Sequence, residues 1–110
     1  MKETILICKS VKFYSFKDED AFFEWIKKIE CIRKFSGKGR ELYLHLTDKI
    51  DDTNLDDLIG LFYRYKIDMK QLAQFLTRKN KDWFYDKKAF WFKKVFGQTV
   101  TPKAKEQKTI

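Results

Sequence analysis

Between Phe22 and Leu46 the apolar period changes from that of a helix to that of a strand, and this switch restricts the fold more than any other feature. Phe22, Trp25, Ile26 and Ile29 recur at i, i+3, i+4 and i+7, the spacing of one face of an amphipathic helix. Leu42, Leu44 and Leu46 then alternate with Tyr43 and His45, and a period of two places the two sets on opposite faces of a strand. A chain containing both patterns is neither all-α nor all-β. The acids Asp18, Glu19 and Asp20 precede the helical run, where a helix N-terminus favours negative charge. Glu24, Lys27 and Lys28 take its outer side.

An earlier run, residues 5 to 13, places Ile5, Ile7, Val11 and Phe13 on one side of a first strand, interrupted by Lys9. A second strand is expected over Cys31 to Phe35, with Ser36-Gly37-Lys38-Gly39 supplying a tight reversal into a third over Glu41 to Thr47. The order is β-α-β-β: an α+β fold with a small, mainly antiparallel sheet.

The rest reads as three to four helices. Thr53 with Asp56 has capping-box spacing ahead of Leu55, Leu58, Ile59 and Phe62. Asp68 with Gln71 opens a short helix carrying Met69, Leu72, Ala73 and Leu76. Asn80 caps a turn around Trp83 and Phe84, and Asp86 caps a last helix ending near Phe96, with Gly97 at its C′ position. One domain is expected over 1–97, followed by a flexible polar tail over 98–110 that holds Pro102.

With 44% hydrophobic and 17% aromatic residues in 110, the chain has ample material for a core, which excludes a wholly disordered protein. No apolar stretch reaches membrane-spanning length, and the start, Met-Lys-Glu-Thr-Ile-Leu-Ile-Cys, is too short and too soon charged for a signal peptide. Cys8 and Cys31 lie far apart without a CxxC and read as buried reduced thiols of a cytosolic protein. The net charge of +8 divides unevenly. Residues 1–68 carry 13 basic and 13 acidic side chains, whereas residues 69–110 carry 11 basic and 3 acidic ones.

Motifs for catalysis are sparse. His45 is the only histidine, and a half-covered place on the strand opposite the leucines accounts for it. A Cys8-Cys31-His45 metal site has none of the paired spacings of structural zinc. Gly37-Lys38-Gly39 serves a hairpin turn rather than a phosphate cradle. The expectation is a protein that is not an enzyme and needs no metal or cofactor.

Two surfaces stand out. Asp48, Asp51, Asp52, Asp56 and Asp57 fall within ten residues at a strand-to-helix crossing. Some belong to helix N-terminal chemistry, while the remainder concentrate negative potential suited to a basic groove. The second surface, Arg78 to Phe96, interleaves seven basic residues with Trp83, Phe84, Tyr85, Phe90, Trp91, Phe92 and Phe96. Cations among aromatics are the composition of a nucleic-acid surface, and equally of a core with a solvated lysine face. On a continuous helix from Asp86, Phe92, Val95 and Phe96 share a stripe, and Trp91 with Lys87 and Lys94 forms a flanking row near Lys88. One or two of the seven rings are expected to be exposed.

The stretch Ile67-Asp68-Met69-Lys70-Gln71-Leu72-Ala73-Gln74-Phe75-Leu76, then Asn80, Trp83-Phe84 and Trp91 through Val95-Phe96-Gly97, resembles small bacterial immunity proteins encoded beside polymorphic toxins, notably those of contact-dependent growth inhibition systems. The resemblance covers about the second half of the chain. It implies a cytoplasmic inhibitor that binds a cognate toxin domain, often a nuclease, and blocks its active site; a monomer is the expected state, and a homodimer that buries the surplus aromatics is a further reading. The five aspartates would meet a basic cleft; Lys87, Lys88, Trp91 and Lys94 would meet an acidic face. Both faces stay open at this point, as does the alternative of a small RNA- or DNA-binding module using residues 78–96.

Overall fold

The computed structural model describes residues 3–97. Packing groups the chain into two compact units, Met1–Asp68 and Met69–Ile110, and the boundary is the point at which the basic excess begins. The tail expected over 98–110 lies outside the described residues.

The fold is α+β. The first unit runs β1 (Thr4–Lys9), α1 (Phe16–Lys28), β2 (Ile32–Lys38), β3 (Glu41–Leu46) and α2 (Asp52–Arg64). β3 is the central strand of an antiparallel sheet of order β1-β3-β2. Lys38 pairs with Glu41, so the reversal is the two residues Gly39-Arg40, one pair later than the sequence implied. Gly39 has φ 62°, a backbone region that glycine enters without Cβ strain.

The face of β1 is the reverse of the one expected. Leu6 and Cys8 are buried, whereas Ile5 and Ile7 are exposed. Four consecutive apolar residues, Ile5 to Cys8, leave the period undecided, and register decides it: Leu6 stands opposite Leu44, and Cys8 opposite Leu42. Val11 and Phe13 do not continue the strand. Ser10 takes φ 47°, and its N–H donates to the Arg40 carbonyl at 2.8 Å, which turns the chain toward α1.

α1 begins where Ser15 accepts a hydrogen bond from the Asp18 N–H at 3.1 Å, while the Asp18 carboxylate accepts from the Tyr14 N–H at 2.9 Å. Phe22, Ile26 and Ile29 are buried as the spacing predicts. Phe23 stacks on Phe35 of β2 at 5.5 Å, which places α1 on the Leu6–Leu44 face of the sheet, since Phe35 stands opposite Leu44. α2 adds Leu55, Leu58, Ile59, Leu61 and Phe62 to this core. A Cβ on Gly60 would sit 3.3 Å from Trp25 Cζ2, so the α1–α2 approach uses the missing side chain. Gly60→Ala is expected to be nearly neutral, because a helix-propensity gain of about 1 kcal/mol opposes that tight contact. Gly60→Val should lose roughly 1–3 kcal/mol by overpacking, read as a lower thermal unfolding midpoint.

The second unit contains a 3₁₀ segment (Met69–Phe75), α3 (Lys81–Phe84) and a π-helical turn (Lys93–Gly97). Two expectations change. The helix after Asp68 is 3₁₀ rather than α. The last helix does not run from Asp86: the Asp86 carboxylate accepts from the Lys88 N–H at 2.9 Å, and Ala89 and Phe92 make i→i−3 turns at 2.9 and 3.1 Å. A short polar side chain that bonds its own backbone competes with helix formation, and the adjacent Phe90-Trp91-Phe92 run has poor helix propensity. Asn80 precedes α3 as expected, but its side chain faces backwards. It accepts from Thr77 N–H and donates to the Phe75 carbonyl, both at 2.8 Å, so a buried amide joins the two helical segments.

Candidate functional site

The acidic crossing is built around one cap. Asp51, not Thr53, is the N-cap of α2, and its carboxylate accepts from both the backbone N–H and the side-chain amide of Asn54 at 2.8 Å. The buried Asn54 turns its Oδ1 the other way and accepts from the Cys31 N–H at 3.0 Å. The cap is thereby tied to the segment entering β2. Asp51 thus has a structural task, and Asp52 follows in the first turn of α2, where its charge faces the positive end of the helix dipole.

Asp56 and Asp57 have no such task. Asp56 is exposed and Asp57 half-buried. Burial raises the Asp57 pKa above its ordinary value, and the charges of Asp56 and Asp51 raise it further. The fold therefore brings Asp51, Asp56 and Asp57 together, with Asp52 beside them and Asp48 exposed in the preceding bend. Among the described residues, none of the five forms an ion pair.

The basic candidates belong to the other unit. Lys87 and Lys88 are exposed in the turns after Asp86, and Lys94 is exposed in the π-helical turn. Without a continuous helix the flanking row of Lys87, Trp91 and Lys94 does not form. Trp91 is half-buried: its indole N–H donates to the Phe84 carbonyl at 2.9 Å, and its ring meets Trp83 edge-on at 6.0 Å. Most rings of this stretch stack on one another, including Phe84–Phe96 at 5.0 Å and Tyr85–Phe96 at 4.8 Å. Two remain exposed, Tyr85 at 45% and Phe90 at 59%, matching the number expected.

No family model matches the chain, and neither a curated protein nor a solved structure does. The surfaces must be weighed on their own chemistry.

The two thiols are inert by position. Burial pushes Cys8 up to about 12 and Cys31 up to about 11, with the Asp51 charge adding to the latter. Both are free and buried. A thiolate-specific reagent at pH 8 should modify neither in the folded protein and both after denaturation. On the opposite sheet face His45 is half-covered. Its Nδ1 lies 3.3 Å from the Glu3 carboxylate, without hydrogen-bond alignment, and its Nε2 is 3.3 Å from Ser36 Oγ. His45, then Arg33, hold the Glu3 carboxyl below the usual carboxylate range. Among the described residues no three His, Cys, Asp or Glu side chains are grouped to hold a metal ion, and no helix is long and apolar enough to cross a membrane.

One charged site gave no signal in the linear pattern. A cleft of about 770 Å³ opens between the β1–α1 connection and the C-terminal end of α2, lined in part by Lys12, Lys17, Arg64 and Lys66. Its cations come from segments far apart in the sequence, so neither a run nor a helical period announces them.

Proposed function

We propose that the protein is an immunity protein, which binds a cognate bacterial toxin domain in the cytoplasm and occludes its active site. The observation that carries this reading is the state of Asp56 and Asp57. Two carboxylates are held beside a third in a protein that makes no internal ion pair to them among its described residues. Such an arrangement is unfavourable for the free chain and becomes favourable when a cationic groove is laid against it. A nuclease cleft that binds phosphates is a groove of that kind. The resemblance of residues 67–97 to immunity proteins supports the same class of partner. The non-catalytic role rests on it too.

The experiment is a pull-down with the product of the neighbouring upstream gene, followed by an assay of its toxicity with and without the protein. Capture and neutralisation that are lost with Asp56→Asn/Asp57→Asn bear the proposal out. Capture that ignores these two changes removes the aspartates from the interface. A neighbour that is no toxin, with RNA binding that falls steeply with salt, favours the second reading. That reading, a nucleic-acid module on residues 78–96, draws on the exposed Phe90 and Tyr85 beside Lys87 and Lys88.

A further inference from the structure

The cleft at the far end of α2 has a chemistry the aspartates do not share. Asp51 caps the N-terminus of α2 and Arg64 lies in its last turn. At 1.5 Å per residue the Asp51 cap lies about 20 Å from Arg64 along the helix, and Asp56 and Asp57 about 10–12 Å from it. Lys12 and Lys17 reach the cleft from the β1–α1 side, and Arg64 and Lys66 from the α2 side. Among the described residues none of these four cations is in an ion pair. The one carboxylate in the lining is Asp18, and one of its oxygens is engaged by the Tyr14 N–H. The cleft is therefore a cation-rich concavity within a unit whose acidic and basic residues balance as a whole.

Two further observations narrow the ligand. Tyr14 lines the cleft and is 84% exposed. Rings this bare offer flat faces to solvent, and an aromatic face beside cations suits a base attached to a phosphate. The volume, about 770 Å³, falls in the range of small-molecule sites. Among the described residues only Ser10 and Lys66 combine a side chain with positive φ, 47° and 57°, and both line this cleft. A lysine is a poor occupant of that region, where glycine or asparagine is at ease, yet Lys66 stands there, directly after the Tyr65 C-cap of α2, and lines the cleft.

We propose that this cleft binds a nucleoside phosphate, with Lys12, Lys17, Arg64 and Lys66 around the phosphate and Tyr14 stacked on the base. The source is either a free nucleotide or a nucleotide within a single strand, and both present the same chemistry. The site stands apart from the toxin-binding reading and does not depend on it.

The test is a titration of the full chain with adenosine triphosphate, a single-stranded RNA decamer, inorganic phosphate and an oligoglutamate peptide, by calorimetry. Tryptophan emission in a Trp83→Phe/Trp91→Phe background provides a second signal, because the remaining Trp25 ring lies 6.2 Å from Tyr65, which lines the cleft. Saturable binding is expected, weakened at least tenfold by Lys12→Glu/Lys17→Glu and about tenfold by Tyr14→Ala. Lys66→Gly should weaken binding several-fold while raising the unfolding midpoint, since it relieves the positive φ; that separates lost contacts from lost folding. Asp56→Asn should leave the affinity unchanged. Binding of the triphosphate identifies a free nucleotide; binding of the decamer alone, with a salt slope, identifies a strand. Either supports the site when the Lys12, Lys17 and Tyr14 changes weaken it; binding that ignores them belongs to the 78–96 surface. Three results would overturn it: no saturable binding by triphosphate or RNA, inorganic phosphate or an oligoglutamate peptide binding as well as both, or affinity unmoved by the lysine and Tyr14 changes.

Discussion

Changing Asp56 and Asp57 together to asparagine is expected to move stability and binding in opposite directions. The free protein should melt about 2–4 °C higher at pH 7, because like charges held together cost a few tenths of a kcal/mol each and a small domain gains several degrees per kcal/mol. Its complex with a basic partner should weaken by about a hundredfold or more, as truncating one side of a close interfacial charge pair costs roughly 2–5 kcal/mol. Asp51 and Asp52 are left in place, since one caps α2 and the other sits in its first turn. The pH dependence follows from the direction of the Asp57 shift. Folded Asp57 holds its proton more tightly than the ordinary carboxylate at 3.8, through burial, then Asp56, then Asp51. The stability it contributes is present below the unfolded value and is lost as pH rises through the raised native one. Thermal melts of wild type and Asp57→Asn should therefore converge in acid and separate toward neutral pH. Melts that stay parallel across that range remove the like-charge strain and, with it, the main support for a cationic partner.

The second large effect lies at Asn54. Its amide donates to Asp51 while its oxygen accepts from the Cys31 N–H, so one buried side chain satisfies the α2 cap and the start of β2. Asn54→Ala leaves that buried N–H without its acceptor and removes a hydrogen bond from the cap, for a loss of roughly 2–4 kcal/mol. Asn54→Asp keeps the shape and the acceptor, but sets a second carboxylate at the position where the amide met Asp51. It is expected to be at least as damaging at neutral pH and to recover in acid. Chemical denaturation of both variants at pH 7 and pH 4 distinguishes the two causes.

The sheet and the first two helices were legible because their apolar periods are clean. Phe22, Ile26 and Ile29 are buried as spaced, and Leu44 and Leu46 are buried as alternated. β1 was legible as a strand but not in orientation, since apolar residues occupy both its faces and only pairing with β3 chooses between them. The α2 cap was misplaced by two residues because Asp51, Asp52 and Thr53 are all capable caps, and the choice falls to Asn54, whose partner is 23 residues away. The second unit was less legible. Its aromatic runs satisfy a helical period, yet side-chain hydrogen bonds at Asp86 and Asn80 bend the backbone into turns. The cleft was not legible at all, for its members meet only through the tertiary fold.

Between Ile32 and Lys34 the register of β2 slips by one residue, leaving Arg33 outside the regular pairing with β3. β2 is an outer strand of the sheet, and Arg33, Lys34 and Lys38 are all exposed along it. An outer strand is a template on which another chain can add its own backbone, and a local kink with cationic side chains is a recognised defence against that addition. The irregularity therefore guards colloidal behaviour: a chain in which Arg33 is deleted, straightening the strand, should form fibrillar deposits at concentrations where the native protein stays dispersed.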